Sequence, residues 1–416
     1  MRIVLIIITL LLSCNKERKF IIDDYDTISS SIDEYIDNGS LALLHVYLEN
    51  YDGSPLYSYS KVNDSLVGID VDENTWFRIW SMSKIVTISI AMDLVEEGII
   101  SLNDDVSDYF PELKNLKIAK GPNGEKLNQW ISKDLCPLTF EEVDYQMTIS
   151  DLILHKAGFF YSTTNHNCLN ELVAWKNLAS STDTDDFIKR ISQLPLIQEP
   201  GDDVFYGVNT TILGMVCEKA TGKTLNELLN EKLISPFNIK GFSYNKNKDV
   251  NLLPVFSGVD SLIRKANKGE LDIYGQDVPN YEADNKLFLG GEGMIATTNG
   301  YADFLRIILN DGSLEDIRFL DKSTIKEMSS PHVERNEYGY NGYNLWVTSD
   351  KVREDGHGDS GLWTGGGYEG THFWIDRKRK FVGLIMTQVF SPNKNASNKD
   401  NEIRGLIYNE IFKNEK

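Results

Sequence analysis

The segment from Ser81 to Lys84 constrains this chain most, because an apolar run at helical spacing follows it directly. The apolar positions of that run are Ile85, Ile88, Ala91, Met92 and Val95. The pattern predicts an amphipathic helix that begins at Ser81 and stops at Gly98. Residues three apart share one face of a helix, so the Ser81 hydroxyl and the Lys84 amine are expected to meet. A serine at a helix N-terminus beside a lysine is typical of an activated nucleophile.

The same serine–lysine spacing occurs elsewhere in the chain, so the spacing alone is weak evidence. Examples are Ser58, Ser243, Ser323 and Ser391. None of them precedes an apolar helix, and Ser58 lies in a run that alternates like a strand. The alternative at Ser81 is a serine that merely caps a core helix beside a solvated lysine.

The charge balance excludes some partners. The 416 residues hold 42 Lys and Arg against 62 Asp and Glu, which gives a net charge of −20. Such a surface repels nucleic acid and anionic lipid headgroups. No metal-ligand spacing is present, since His166 and Cys168 stand alone. We therefore expect no nucleic-acid partner, no metal and no cofactor.

The N-terminus is typical of an export signal. A basic residue precedes an apolar run over residues 3–12, which is too short to span a bilayer. The run ends in Leu-Leu-Ser-Cys at residues 11–14, which resembles the lipid-attachment sequence of bacterial lipoproteins. The resemblance implies a signal peptide over residues 1–13, a lipid on Cys14 and a tether over residues 14–20. The protein would then be held by its lipid in the bacterial cell envelope, facing the periplasm or the exterior. The alternative is an ordinary signal peptide.

Three further cysteines are Cys136, Cys168 and Cys217. An odd number leaves at least one thiol free in an exported protein. One disulfide is possible, and the sequence leaves its pairing open.

Strand-like runs lie near both ends of the chain, and helical runs alternate with polar loops between them. This order suggests one α/β domain built from residues 21–110 and 285–416. A mainly helical domain over residues 111–284 would be inserted into it.

Five segments, in order, resemble the serine β-lactamase and penicillin-binding-protein superfamily, and most closely its class C β-lactamase and esterase-like branch. The segments are residues 77–113, which contain FRIWSMSK, and residues 147–159, 200–225, 290–312 and 365–376. The resemblance implies an α/β, β-lactamase/transpeptidase-like fold. In that fold helices flank an antiparallel sheet, and a mainly helical domain is inserted.

The resemblance also implies a catalytic set of Ser81, Lys84 and Tyr206. Tyr206 matches by its place in the stretch Tyr-Gly-Val-Asn. A cationic lysine close to a tyrosine favours the ionised phenol, which could accept the serine proton. Whether Tyr206 or Lys84 is the general base stays open.

A third element of the family, a strand that lines the cleft, departs from the usual pattern. Relatives carry Lys-Thr-Gly, His-x-Gly or Trp-Gly-Gly there, and this chain has Gly365, Gly366 and Gly367. Three glycines let a substrate approach the strand edge. The backbone amides of Ser81 and Tyr368 would then form the oxyanion hole.

The resemblance further implies that Trp80 and Val208 contact the substrate. Val208 stands where class C enzymes carry an asparagine that orients amides, and Gly365 lacks the lysine that would pair with a carboxylate. We therefore expect an acyl-enzyme hydrolase of small esters or amides. The alternatives are a D-Ala-D-Ala carboxypeptidase or β-lactamase and, from another class, a penicillin-type sensor that does not hydrolyse its ligand.

Overall fold

A computed structural model gives the structure of this protein. It describes residues 22, 24–127, 135–161, 167–248, 250–258, 262–267, 269–270, 279–390 and 394–415. The predicted signal peptide, Cys14 and the tether lie outside the described residues. Among the residues described, no helix is long and apolar enough to span a membrane.

Eight strands form the main antiparallel sheet. In chain order they are β1 (Leu43–Asn50), β2 (Pro55–Val62), β3 (Val333–Asn336), β4 (Gly339–Asn341), β5 (Trp346–Thr348), β6 (Trp363–Gly366), β7 (His372–Asp376) and β8 (Phe381–Met386). Their order across the sheet is β3-β4-β5-β6-β7-β8-β1-β2. The sheet therefore combines two strands from the start of the chain with six from its last third, while the domain boundaries themselves stay a prediction.

Smaller strands complete the β structure. They are Trp76–Arg78, Lys117–Lys120, Thr139–Glu142, Phe242–Ser243, Phe256–Ser257, Arg264–Lys265, Ile295–Thr297, Ser313–Leu314, Ile317–Arg318 and Val389–Phe390. The strand Trp76–Arg78, which leads into the predicted nucleophile, pairs with Ile295–Thr297.

The longest described helices are α1 (Tyr25–Asp37), α2 (Ser83–Glu96), α3 (Asn209–Thr221), α4 (Thr298–Leu309) and α5 (Lys394–Asn414). Shorter ones are Asp64–Val67, Val106–Tyr109, Ile149–Ile153, Asn167–Lys176, Thr184–Ile191, Leu225–Leu229, Ser235–Phe237, Lys322–Met328 and Asp350–Glu354. Single turns of other helix types are Trp80–Met82, Pro111–Leu113, Leu178–Ser180 and Asn230–Ile234.

Helices cover both faces of the sheet, as the alternation along β7 shows. Successive side chains of a strand point to opposite faces. Phe373 packs on Tyr301 of α4, with ring centroids 5.7 Å apart. Asp376, three positions on, instead accepts a hydrogen bond from Tyr408 of α5 at 2.8 Å. The β-lactamase/transpeptidase-like fold predicted from the resemblance is therefore confirmed.

Helix α2 is not amphipathic, contrary to the prediction. Every residue from Ser83 to Leu94 is buried. Its polar side chains find partners inside the protein. Thr87 donates to the Gly290 carbonyl at 2.7 Å, and Ser89 donates to the Ile85 carbonyl at 2.7 Å. The helix therefore lies in the protein core, and its polar side chains form hydrogen bonds with other buried groups rather than with water.

Local hydrogen bonds define the ends of several elements. Gly53 lies in the turn that joins β1 to β2, and capping boxes form at Thr148 and Thr224. Thr297 caps α4. The helix Leu225–Leu229 continues through the π turn Asn230–Ile234 into Ser235–Phe237. The disulfide joins Cys136 to Cys168, and Cys217 is a buried free thiol.

Candidate active site

Ser81 lies in a strained turn immediately before α2. Trp80 has φ of +45°, a conformation that costs energy for a bulky residue and persists only where surrounding contacts fix it. Here Tyr301 donates to the Met82 carbonyl at 2.9 Å, and the Met294 amide donates to Ser83 Oγ at 3.1 Å. The helix was predicted to begin at Ser81, but Ser81 lies in the separate turn Trp80–Met82, and α2 begins two residues later at Ser83. These contacts of the turn fix the position of Ser81.

Lys84 lies under Ser81, as their spacing predicted. Its Nζ donates to Ser81 Oγ at 3.2 Å and to the Gly291 carbonyl at 2.8 Å. The side chain is completely buried, so the part of the alternative that made Lys84 a solvated lysine is wrong.

Tyr206 approaches the same hydroxyl from the other side. Its Oη lies 2.6 Å from Ser81 Oγ, and Lys84 Nζ lies 4.8 Å from the centre of its ring. Tyr206 is 40% exposed, whereas Lys84 is enclosed. The structure therefore brings together all three side chains of the predicted catalytic set.

Glu292 neutralises the buried lysine. One of its carboxyl oxygens lies 3.8 Å from Lys84 Nζ, and Thr211 and Tyr161 donate hydrogen bonds to the carboxyl group at 3.0 and 3.2 Å. Burial raises the pKa of Glu292, and the charge of Lys84 opposes that rise. Burial, and then the Glu292 charge, also raise the pKa of Tyr161. A buried charge needs such partners.

His155 supports Tyr206. The two rings stack with centroids 4.8 Å apart. Nδ1 of His155 faces the Asn209 side-chain amide at 3.1 Å and accepts from the Gly207 backbone amide at 3.5 Å. Burial lowers the pKa of His155 to about 3, and the charge of Lys84 acts in the same direction. The ring is therefore neutral, and the Gly207 contact assigns its proton to Nε2.

The serine opens into a cleft of about 220 Å³ that Gly365 and Gly366 of β6 also line. A Cβ placed on Gly365 would lie 2.6 Å from the Phe373 ring, so this position requires glycine. One on Gly367 would lie 2.5 Å from the Ile79 carbonyl, which puts this backbone beside the nucleophile turn. The Gly367 amide bonds to the Thr371 carbonyl at 2.8 Å and cannot serve a substrate. The oxyanion hole of Ser81 and Tyr368 amides stays a prediction.

The predicted substrate contacts of Trp80 and Val208 are wrong for their side chains. The Trp80 indole is completely buried and packs against Tyr368, with ring centroids 5.4 Å apart. Val208 is 1% exposed and immediately precedes α3. Neither belongs to the cleft lining. Trp80 directly precedes Ser81, and Val208 lies two residues after Tyr206, so both are next to residues that line the cleft.

A buried clamp joins the nucleophile segment to the segment after β6. The Gln388 side chain accepts from the Arg78 amide at 2.6 Å and donates to Glu369 at 2.7 Å. The Glu369 carbonyl accepts from the Val389 amide at 3.0 Å. Burial raises the pKa of Glu369 to about 7, and the Arg78 charge and the Trp80 indole oppose that rise. The clamp thus ties together the two segments that carry the predicted oxyanion donors.

Sequence reasoning missed the roles of Glu292 and His155. A signal existed for Glu292, since it is the one carboxylate in the apolar run over residues 287–297. A lone carboxylate in such a run indicates a buried ion pair. His155 offered no comparable signal, because its partners lie more than 50 residues away in sequence.

The fold and this site define a protein of the β-lactamase/transpeptidase-like class with a Ser-Lys-Tyr arrangement at its cleft. The beta-lactamase family model matches residues 46–406, so the chain belongs to the beta-lactamase family.

Individual relatives share only a low sequence identity with this chain. An uncharacterised protein of Mycobacterium tuberculosis is 24% identical over 285 residues, which cover 67% of this chain and 66% of that protein. The acyltransferase mokF of Monascus pilosus is 26% identical over 272 residues, which cover 62% and 61%. The chain thus spans less than two thirds of the length of these relatives. The solved structure of EstCE1, described as a hydrolase with promiscuous acyltransferase activity, superposes with a TM-score of 0.71 at 18% identity, over 92% of this chain and 98% of that one.

Proposed function

We propose that this protein is a serine hydrolase that cleaves small carboxylesters or amides through an acyl-enzyme. The observation that carries the proposal is the convergence on Ser81 Oγ of Lys84 Nζ at 3.2 Å and Tyr206 Oη at 2.6 Å. A hydroxyl held between a cation and a phenol in an open cleft is arranged for proton removal and attack.

Tyr206 is the better candidate for general base. Lys84 is engaged with the Gly291 carbonyl and with Glu292, whereas Tyr206 is half-exposed and closest to the hydroxyl. In the proposed first step Ser81 Oγ bonds to the acyl carbon, and its proton passes to Tyr206 Oη, which acts as the general base. The ester C–O bond then breaks, and the leaving alkoxide takes that proton. Water, activated in the same way, cleaves the acyl-enzyme.

Esters are favoured over β-lactams and peptides. An alkoxide leaves with less assistance than an amine, and Gly365 supplies no cation on the cleft strand. We therefore expect 4-nitrophenyl butyrate to be hydrolysed well, and benzylpenicillin and a D-Ala-D-Ala peptide poorly. A higher kcat/KM for either of the last two would replace the esterase proposal with the β-lactamase or carboxypeptidase. Stable acylation by penicillin without turnover of any substrate would favour the sensor.

Acyl transfer to an alcohol is a second candidate. It is favoured by the names of two similar proteins, the acyltransferase mokF and the hydrolase EstCE1 with its promiscuous acyltransferase activity. Hydrolysis of 4-nitrophenyl butyrate in the presence of butanol separates the two. Butyl butyrate as the main product would identify a transferase, and butyrate as the main product supports the hydrolase.

Export and anchoring through Cys14 are also part of the proposal. The apolar run that ends in Leu-Leu-Ser-Cys supports them. The Cys136–Cys168 disulfide supports an oxidising compartment, such as the space outside the cytoplasmic membrane.

A further inference from the structure

The cleft beside Ser81 has a charge that contrasts with the rest of the protein. Acidic residues outnumber basic ones by 62 to 42 in the whole chain. Yet among the described residues that line the cleft there is no carboxylate, and Arg335 is the one with a permanently charged side chain. The other titratable groups of the lining are Tyr206 and His155, and burial keeps His155 neutral. A positive site in an acidic protein selects for anions.

The backbone places Arg335 on the cleft wall. In the pairing of β3 with β4, Glu334 lies opposite Tyr340 and Asn336 lies opposite Gly339, so Arg335 is the extra residue of a β-bulge. Bulges occur beside active sites, where they redirect a side chain. Val333, two positions earlier on the same strand, also lines the cleft.

The guanidinium of Arg335 is exposed, and within the described part of the chain no carboxylate lies within 4.0 Å of it. The exposed arginines elsewhere differ, since Arg318 pairs with Asp321 and Arg353 contacts Asp359. Arg335 does influence the cleft, because its charge helps to lower the pKa of His155.

We propose that Arg335 binds a carboxylate of the substrate, so that the preferred substrate is an ester whose acyl or alcohol part carries a negative charge. This inference rests on the proposed function. The planar guanidinium matches a carboxylate with two parallel hydrogen bonds. Asn341 and Asn344, which line the cleft with it, offer further amide donors. Relatives carry their cationic residue at the position of the glycine run of β6. In this chain the positive charge at the cleft belongs to Arg335, which lies on β3.

The test compares charged and neutral members of two ester pairs. One pair is the 4-nitrophenyl monoester of glutaric acid and 4-nitrophenyl butyrate, and the other is 4-acetoxybenzoate and phenyl acetate. Arg335→Met should lower kcat/KM for the charged member of at least one pair about 10- to 100-fold more than for its neutral partner. Arg335→Lys should retain part of the preference that Arg335→Met loses, because lysine keeps the positive charge but lacks the planar guanidinium that forms two parallel hydrogen bonds. The matched control Arg318→Met, which removes an exposed arginine outside the cleft, should change neither ratio.

Equal losses for both members of both pairs would overturn the proposal. Binding of glutarate to the Ser81→Ala variant, measured by calorimetry with and without Arg335→Met, keeps the two proposals separate. Glutarate affinity that does not depend on Arg335 would also overturn the subsite. Failure of wild-type protein to cleave any ester would overturn the proposed function while the calorimetry still decides the subsite.

Discussion

Replacement of Glu369 by glutamine should change how stability depends on pH. The Glu369 side chain is fully buried, and its carboxyl accepts a hydrogen bond from Gln388 at 2.7 Å. Burial raises the pKa of this carboxyl from 4.5 to about 7. Glutamine has nearly the same shape and keeps an oxygen for Gln388, but it has no proton to lose in this range.

The direction and size of this change in the free energy of unfolding follow from the different pKa values of Glu369 in the folded and unfolded chain. The folded state retains the Glu369 proton up to about pH 7, whereas the unfolded chain loses it near 4.5. The contribution of Glu369 to the free energy of unfolding is therefore fully present below pH 4.5 and is lost as the pH rises through about 7. Between pH 5 and pH 8 the loss amounts to about 2.5 kcal/mol.

Urea unfolding of wild type and Glu369→Gln at pH 5 and pH 8 measures this loss. The free energy of unfolding of the variant, relative to wild type, should rise by about 2.5 kcal/mol over that interval. Glu112→Gln, at an exposed glutamate, is the control and should change the difference by less than about 0.5 kcal/mol. A relative stability of Glu369→Gln that does not change with pH would refute the buried, proton-retaining carboxyl and the clamp built on it.

Two further predictions concern the chemistry, and one concerns the anchor. Tyr206→Phe should lower kcat for a 4-nitrophenyl ester at least about 100-fold. The control Tyr145→Phe, at an exposed tyrosine, should leave kcat unchanged in the same assay. A Tyr206→Phe variant with the kcat of wild type would exclude a role for the phenol in the mechanism. Lys84→Met combined with Glu292→Gln should lose activity to a similar extent yet stay folded by circular dichroism, because no buried charge is left unpaired; retained activity would exclude a role for the lysine. Cys14→Ala, expressed in a bacterium, should lose membrane association in fractionation, because the attached acyl chains are gone; continued membrane binding would contradict the lipid anchor.

The sequence predicted the parts of the site that depend on short spacing or on a resemblance. Ser81 and Lys84 are three residues apart, so helix geometry alone brings them together. Tyr206 came from the resemblance, and the structure brings its hydroxyl to 2.6 Å from Ser81.

Features that depend on distant partners were beyond the sequence. The polar residues of α2 are buried beside partners that are distant in sequence, and the Gly290 carbonyl, for example, is 203 residues from its donor Thr87. The choice of Cys136 and Cys168 for the disulfide depends on how the loop at Cys136 approaches the helix Asn167–Lys176, which no local pattern encodes. Trp80 was misassigned for the same reason. Its neighbour Ser81 lines the cleft, but the strained turn points the indole into the interior.

Intact-mass spectrometry after treatment with a fluorophosphonate tests the central claim most directly, because the reagent bonds only to an activated hydroxyl. Wild type and the control Ser58→Ala, which removes an exposed serine with the same spacing to a lysine, should each gain the mass of one label, and Ser81→Ala should gain none. Peptide mapping should locate the label on Ser81, whose Oγ contacts both Lys84 and Tyr206. A label retained in Ser81→Ala, or mapped to Ser83, would contradict the account.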